Sequence, residues 1–230
     1  FLVHPQGAAT RRVGTQFIAE VKSSAAKTRL IPFEFSTTQT YILEFGNTYI
    51  RFFKDKGQIL SGGSAYEISS PYLTAELFDI KFAQSADVMY ITHPNHEVMK
   101  LSRTGHTSWT LAQVDFTDGP YLATNSTTTT LTPASAGVAT GVNITASAVT
   151  GINGGAGFQT TDVGRIISFN SGKAKITARS STTVVACTIT TAFTNTNATA
   201  AFNLGAFSDT TGHPSCVSFF EQRLVFAGTT

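Results

Sequence analysis

Three residues in the first half of the chain have the side chains of a hydrolase triad: His106, Ser108 and Asp115. Members of a triad are recognised by their positions in space, and the serine normally lies on a strained turn between a strand and a helix. The residues after Ser108 have the pattern of a strand, with no sign of such a turn. We therefore interpret His106 and Trp109 as packing residues at the start of a strand, and we predict that His106, Ser108 and Asp115 do not form a catalytic triad.

Two histidines three residues apart, His93 and His96, have the spacing of half a metal site. Zinc requires three or four ligands, and no cysteine or carboxylate cluster near them in the sequence completes the set. Pro94 and Asn95 lie between them and favour a turn, so we expect the two imidazoles at a solvated hairpin tip. We predict no metal site and no cofactor.

Other residues whose side chains could take part in catalysis or ligand binding give weaker patterns. The stretch 151–157 is rich in glycine, but neither the Lys-Ser/Thr pair of a phosphate-binding loop nor a helix follows it, so we interpret it as a flexible turn. A catalytic pair of carboxylates, as in glycosidases, stays open as an alternative among the 14 acidic residues, although no motif identifies which two would form it. Cys187 and Cys216 are too few for a disulfide framework, and we interpret them as reduced, packed thiols.

The polar character of the chain comes from hydroxyl groups rather than from charges. Only 13% of the 230 residues are charged, and the chain contains 37 Thr, 19 Gly and 18 Phe. Thr and Phe favour strands and Gly favours turns, so we predict more than about 40% strand and less than about 10% helix. The net charge of +2, without a dense basic run, argues against nucleic-acid binding through a basic surface. No apolar run reaches the roughly 18 residues of a membrane span.

Strand-like segments recur at a regular spacing. Phe35 precedes Ile42 by seven residues, Phe82 precedes Met89 by seven, and the two units lie 47 residues apart. A third unit begins at Val217. A period of about 40–50 residues with three or four strands is typical of β-propeller blades. We predict an all-β protein with propeller-like blades, and because two blades and a fragment do not close a ring, we expect it to be part of a longer polypeptide.

Charge density divides the chain into three parts. Between Tyr121 and Ser208 only five charged residues occur, and strand patterns there are flanked by polar stretches at 124–130 and 193–201. We predict a host β domain with propeller-like blades at 1–123. An inserted β module, a small barrel or sandwich, then occupies 124–208, joined through two polar linkers. The chain returns to the host domain at 209–230, where a further blade starts.

Several stretches resemble segments of a bacteriophage family, the tail nozzle or tail tubular protein B of short-tailed phages. The resemblance covers about 9–122 and 214–230, and residues 158–190 resemble a small β module found inserted in such tail proteins. That module is named after a domain of ubiquitin-activating enzymes, but Cys187 lies in an apolar strand without an activating partner, so no ubiquitin chemistry is implied. The stretches of the first resemblance are RRVGTQFIAEVK (11–22), RLIPFEFS (29–36), YIRF (49–52), KLSRTGHTSW (100–109) and FFEQRLVFAG (219–228).

The resemblance implies a structural role in the virion and no catalysis, so we predict that the protein is not an enzyme. It implies a ring of identical subunits at the distal end of the tail, contacts with other tail proteins on the adaptor or portal side, and genome DNA passing through the centre without sequence-specific binding. The protein would be made in the bacterial cytoplasm and located in the phage tail. If the chain forms a ring, the predicted turn at Lys54, Asp55 and Lys56 is a candidate for facing the lumen or a neighbouring subunit.

Two other classes of function remain open from the residues alone. Propellers and Thr-rich β modules also bind glycans on host surfaces, and aromatic residues exposed together on one face would favour that function. Two carboxylates in one cleft would favour a glycosidase instead.

Overall fold

The computed structural model describes residues 2–11, 14–36 and 39–228. About 48% of the chain is strand, and helical structure among these residues is limited to two short 3₁₀ turns, Asn153–Gly155 and Thr160–Asp162. The predicted strand-rich composition is therefore confirmed. The described part of the chain contains no helix long and apolar enough to cross a membrane.

The chain divides into two compact units. The first lies within Phe1–Leu77 and Gly105–Ser108, and the second within Phe78–Thr104 and Trp109–Thr230. The strands of the first unit are β1 Leu2–Val3, β2 Ala9–Thr10, β3 Arg29–Ser36, β4 Gln39–Gly46, β5 Tyr49–Lys54, β6 Gly57–Gln58, β7 Leu60–Ser61, β8 Ser64–Ala65 and β9 Glu67–Ser69.

The main sheet of the first unit is an antiparallel meander, β3-β4-β5-β6, with β9 paired to β5. Alternation along its strands sends one set of side chains into a core, as period-two patterning requires. The hairpin between β4 and β5 pairs Gly46 with Tyr49, so its two-residue turn is Asn47 and Thr48, one residue later than the Gly-Asn signal suggests. The core side chains of this sheet are at most 1% exposed: Ile31, Phe33, Tyr41, Leu43, Phe45, Ile50 and Phe52.

The second unit begins with a four-stranded antiparallel meander, β10-β11-β12-β13. The predicted turn at Pro94 and Asn95 joins β11 to β12. The strands of this unit are β10 Lys81–Ser85, β11 Val88–His93, β12 His96–Gly105, β13 Ser108–Gln113, β14 Leu131–Pro133, β15 Val142–Ala146, β16 Ile166–Phe169, β17 Gly172–Arg179, β18 Val184–Thr191, β19 Phe202–Leu204, β20 Cys216–Phe220 and β21 Arg223–Ala227.

Six strands of the second unit form one curled sheet, in the order β14-β15-β18-β17-β16-β19, which makes half of a barrel. All six fall inside the predicted insert 124–208. The two compact units divide the chain at other residues, so the predicted three-part division stays a prediction. The concave core of the sheet is almost entirely apolar and includes Leu131, Ile144, Phe158, Ile167, Ile176, Val185, Cys187 and Phe202.

A buried ion pair closes one end of this curled sheet. Arg165 is 1% exposed and Asp162 is 0% exposed, and Arg165 Nη1 donates to Asp162 Oδ1 at 2.9 Å. Asn153 joins them, donating from Nδ2 to Asp162 (2.7 Å) and accepting at Oδ1 from Arg165 (2.7 Å). The glycine-rich stretch therefore forms a hydrogen-bonded turn at this corner, as predicted, and its flexibility stays a prediction. Gly157 has φ +72° there, and a Cβ would lie 2.5 Å from the Thr182 carbonyl oxygen.

The polar stretch 124–130 is a loop whose side chains hydrogen-bond to backbone groups, and its role as a linker between two modules stays a prediction. Asn125 Nδ2 donates to the carbonyl oxygens of Thr127, Thr129 and Ala200 at 3.0–3.2 Å. Thr129 is 1% exposed. The hydroxyls and amides of the stretch satisfy backbone groups around it, and this use of Thr and Asn cannot be told from a solvated linker by composition.

The last strands, β20 and β21, form a separate two-stranded hairpin in which most side chains are exposed. Phe219 packs edge-on against Tyr90 of β11, with ring centroids 6.2 Å apart. The residues that the structure describes do not show a β-propeller.

Candidate functional site

The predicted turn at Lys54, Asp55 and Lys56 links β5 to β6. Asp55 and Lys56 have φ values of 51° and 63°, the pair of left-handed conformations that a tight type I′ hairpin turn requires. Lys54 Nζ lies 3.0 Å from Asp55 Oδ2, and the Asp55 side chain is 76% exposed. The turn is thus an exposed hairpin end in which Asp55 offsets the charge of Lys54 and Lys56 leaves one positive charge, and whether it faces a lumen or a neighbouring subunit stays a prediction.

The turn forms one side of a groove of about 530 Å³ in the first unit. The outward face of β3, β4 and β5 forms another side, together with the chain segment that precedes β3. The groove is lined by Ile18, Ala19, Val21, Leu30, Thr40, Tyr41, Ile42, Glu44, Phe53, Lys54, Asp55, Lys56 and Gly57.

The apolar wall of the groove follows from cross-strand pairing. Pairing sets Leu30 opposite Glu44, and Ile42 opposite Phe53, so these four side chains share the outward face of the sheet. Leu30 is 62% exposed and Ile42 is 41% exposed. Exposed aliphatic side chains side by side on a sheet are typical of a surface that another group covers.

Glu44 lies among these apolar side chains, and its carboxylate is fully buried. Its exposed fraction is 0%. Oε1 accepts from the Tyr49 hydroxyl at 2.6 Å and from the Lys22 backbone N–H at 3.4 Å. Oε2 is buried and has no hydrogen-bond partner among the described residues. A carboxylate oxygen left without a donor away from water is costly, so this atom is the chemically unusual feature of the groove.

The cations nearest to Glu44 contact another acid. Lys22 Nζ lies 2.6 Å from Glu67 Oε1, and Arg51 Nε lies 3.0 Å from Glu67 Oε2. Hydrogen bonding to Lys22 is the main reason that the pKa of Glu67 is lowered. Both cations also lie over the Tyr49 ring, 4.9 and 5.4 Å from its centroid. Both cations therefore pair with Glu67, and Glu44 Oε2 has no donor among the described residues.

Tyr49 gives a titration test of this arrangement. Its pKa is raised to about 12, because burial disfavours the phenolate and because the hydroxyl donates to Glu44. A raised folded-state pKa contributes stability that is fully present below the unfolded value of about 10 and is lost as pH rises through about 12. We expect Glu44→Gln to move the pKa of Tyr49 part of the way back toward about 10, since burial remains.

Ultraviolet difference titration of the tyrosines measures this shift, and the difference between wild-type and variant curves isolates Tyr49. Glu67→Gln is the control, because Glu67 pairs with Lys22 and Arg51 and makes no hydrogen bond to Tyr49. Coincident curves for wild type and Glu44→Gln would contradict the hydrogen bond between Tyr49 and Glu44.

The residues with triad side chains have other partners. The Tyr41 hydroxyl and His106 Nδ1 are 2.7 Å apart in the first unit. Asp115 Oδ1 accepts from Lys175 Nζ at 2.6 Å in the second unit. Trp109 is 6% exposed, in agreement with its interpretation as a packing residue.

The prediction of a solvated tip for His93 is wrong. His93 is 1% exposed, its Nδ1 accepts from the Asn95 backbone N–H at 3.1 Å, and its ring lies 5.0 Å from that of His96, which is half-buried. A distant segment contacts the hairpin tip, since the His213 backbone N–H donates to the Pro94 carbonyl oxygen at 2.9 Å. This contact spans more than a hundred residues, so local turn signals do not contain it.

The two cysteines differ in environment, and both are free thiols. Cys187 is 0% exposed in the core of the curled sheet, where burial raises its pKa to about 12, so it is not an activated thiolate. Cys216 is exposed at the start of β20, which corrects its prediction as a packed thiol.

The groove and Glu44 were not anticipated from the sequence. A signal exists in the segment 41–45, where Glu44 is the only ionisable carboxyl group among strongly apolar neighbours. Sequence comparison assigns the chain to no family: no protein-family model matches it, and no curated protein matches it significantly.

Proposed function

We propose that the protein is a structural subunit of the tail nozzle of a short-tailed bacteriophage. The observation that supports this most is where the resembling stretches fall. Residues 29–36 are β3, 49–52 begin β5, 100–109 include the turn between β12 and β13, and 219–228 include the end of β20 and all of β21. The described residues of 11–22 contain no strand. Four of the five stretches therefore lie in antiparallel hairpins or meanders, the elements from which stacked β-blades are built.

The finer architecture in this proposal is a β-propeller. The four-stranded meander β10-β11-β12-β13 has the strand number and the antiparallel order of a blade, and β3-β4-β5-β6 repeats that order. Blades bury one face of each sheet, and the apolar core side chains on the inward faces of these strands fit that arrangement.

The proposed subunit acts by assembly and not by catalysis. Copies of it form a ring, other tail proteins bind on the adaptor or portal side, and genome DNA passes through the lumen without sequence-specific contacts. A net charge of +2 fits this role, because a strongly basic wall would bind DNA tightly instead of letting it slide. The proposed location is the tail of the virion.

The proposal predicts a specific effect at the 54–56 turn. We expect Lys54→Glu combined with Lys56→Glu to impair ring formation or DNA delivery. Stability should change by no more than about 0.5 kcal/mol, because the turn is at the surface. Ring yield from size-exclusion chromatography, phage infectivity and thermal stability are measured on the same variants.

Two sets of controls accompany the double variant. Lys81→Glu with Lys100→Glu makes the same change of charge on another sheet. Single changes of His93, His96, His106 or Asp115 to Ala should alter stability at most. A histidine or Asp115 variant that folds and assembles but blocks infection or a measurable hydrolysis would favour an enzyme instead.

A further inference from the structure

We propose that the groove of the first unit binds an arginine side chain of a partner polypeptide. The stem of the arginine lies against Leu30 and Ile42, and its guanidinium group donates to Glu44 Oε2. This binding follows from the groove alone and holds whether or not the protein forms a ring.

The buried carboxylate determines the charge of the bound group. Glu44 is 0% exposed and lines the groove, and its Oε2 has no donor among the described residues. A group that donates a hydrogen bond to this oxygen removes the cost of leaving it unpaired. A cation adds Coulomb attraction in a site shielded from water, so a charged donor is favoured over a neutral one.

The walls of the groove determine the shape of the bound group. A bare ammonium or metal ion would leave the aliphatic surface of Leu30 and Ile42 in contact with water, whereas a long apolar stem covers it. Guanidinium is also more weakly hydrated than ammonium and is the cation most used at buried protein interfaces. At the mouth, Asp55 offsets the charge of Lys54, at 3.0 Å.

The open side of the groove favours a polypeptide over a small free cation. Leu30 is 62% exposed and Ile18 is 39% exposed, so apolar residues on either side of the bound arginine also find a surface to cover. A free alkylguanidine fills the site around Glu44 but leaves these flanking side chains uncovered.

The test is a chemical-shift titration of the full ¹⁵N-labelled chain with two capped peptides, acetyl-Leu-Arg-Leu-amide and its norleucine analogue. The arginine peptide is expected to shift the amides of β4 and of residues 18–22. It should bind at least about tenfold more tightly than the norleucine peptide, which has the stem without the donor. Equal binding of the two peptides would overturn the proposal.

Variants of the protein test the same contact from the other side. Glu44→Gln keeps an acceptor for the Tyr49 hydroxyl but places an amide where Oε2 lies. It should therefore lower the affinity for the arginine peptide by about the same factor that separates the two peptides. Leu30→Lys, at an exposed position opposite Glu44, should also weaken binding without unfolding the sheet. Leu60→Lys makes the same change on β7 outside the groove and should bind as wild type does.

Two results would contradict specific parts of the proposal. Unchanged affinity in both groove variants would show that the peptide binds elsewhere. Butylguanidinium binding as tightly as the arginine peptide would contradict the assignment to a polypeptide partner and favour a small organic cation.

Discussion

Replacing Arg165 by methionine is expected to destabilise the second unit by about 3–5 kcal/mol. Methionine keeps much of the length and apolar volume of the arginine stem but removes the cation. Asp162, at 0% exposure, then keeps only the neutral donors Asn153 Nδ2 and the Gln159 backbone N–H and has no cation beside it. Burial already lowers the pKa of Arg165, and the attraction of Asp162 opposes that shift. Guanidinium chloride unfolding followed by circular dichroism measures the loss.

The matched control is Lys173→Met. Lys173 pairs with Asp118, whose pKa is lowered to about 2 chiefly by that contact, but Asp118 is 57% exposed. Solvent screens such a pair, so its loss should have a much smaller effect on unfolding than the loss of Arg165. Equal effects of the two substitutions would show that the buried pair does not hold the corner of the curled sheet.

Truncating Trp109 to alanine is expected to cost roughly 3–5 kcal/mol and to disrupt the four-stranded sheet. Trp109 is 6% exposed at the start of β13, so alanine leaves a cavity at the site of the indole. Thermal unfolding followed by far-ultraviolet circular dichroism is the measurement, because the substitution removes the single tryptophan as a fluorescent probe.

Phe220→Ala is the control for loss of an aromatic ring. Phe220 is 66% exposed, so its removal leaves no cavity and should change stability by no more than about 0.5 kcal/mol. If both variants melt at the same temperature as the wild type, the interpretation of Trp109 as a packing residue is wrong.

Strand content and most strand positions could be predicted from the sequence, because period-two alternation is a local property. The segments around Phe33, Leu43 and Phe52 alternate clearly and form the expected meander. The turn after Gly46 could also be found, to within one residue. These features depend only on neighbours along the chain.

Burial and side-chain pairing could not be predicted, because both depend on residues far apart in sequence. His93 is buried beside a turn whose Pro94 carbonyl oxygen accepts from residue 213, and Asn125 in the loop at 124–130 donates to Ala200. Glu44 becomes unusual only when β4 pairs with its neighbours and the segment around Lys22 covers it. No alternation pattern contains that information.

Electron microscopy of the purified full-length product tests the proposed role most directly. A nozzle subunit predicts closed rings of identical copies with a central channel, and the same rings at the distal end of phage tails labelled with an antibody against this chain. Monomeric particles at assembly concentrations, together with tails that the antibody does not label, would contradict a structural role in the nozzle.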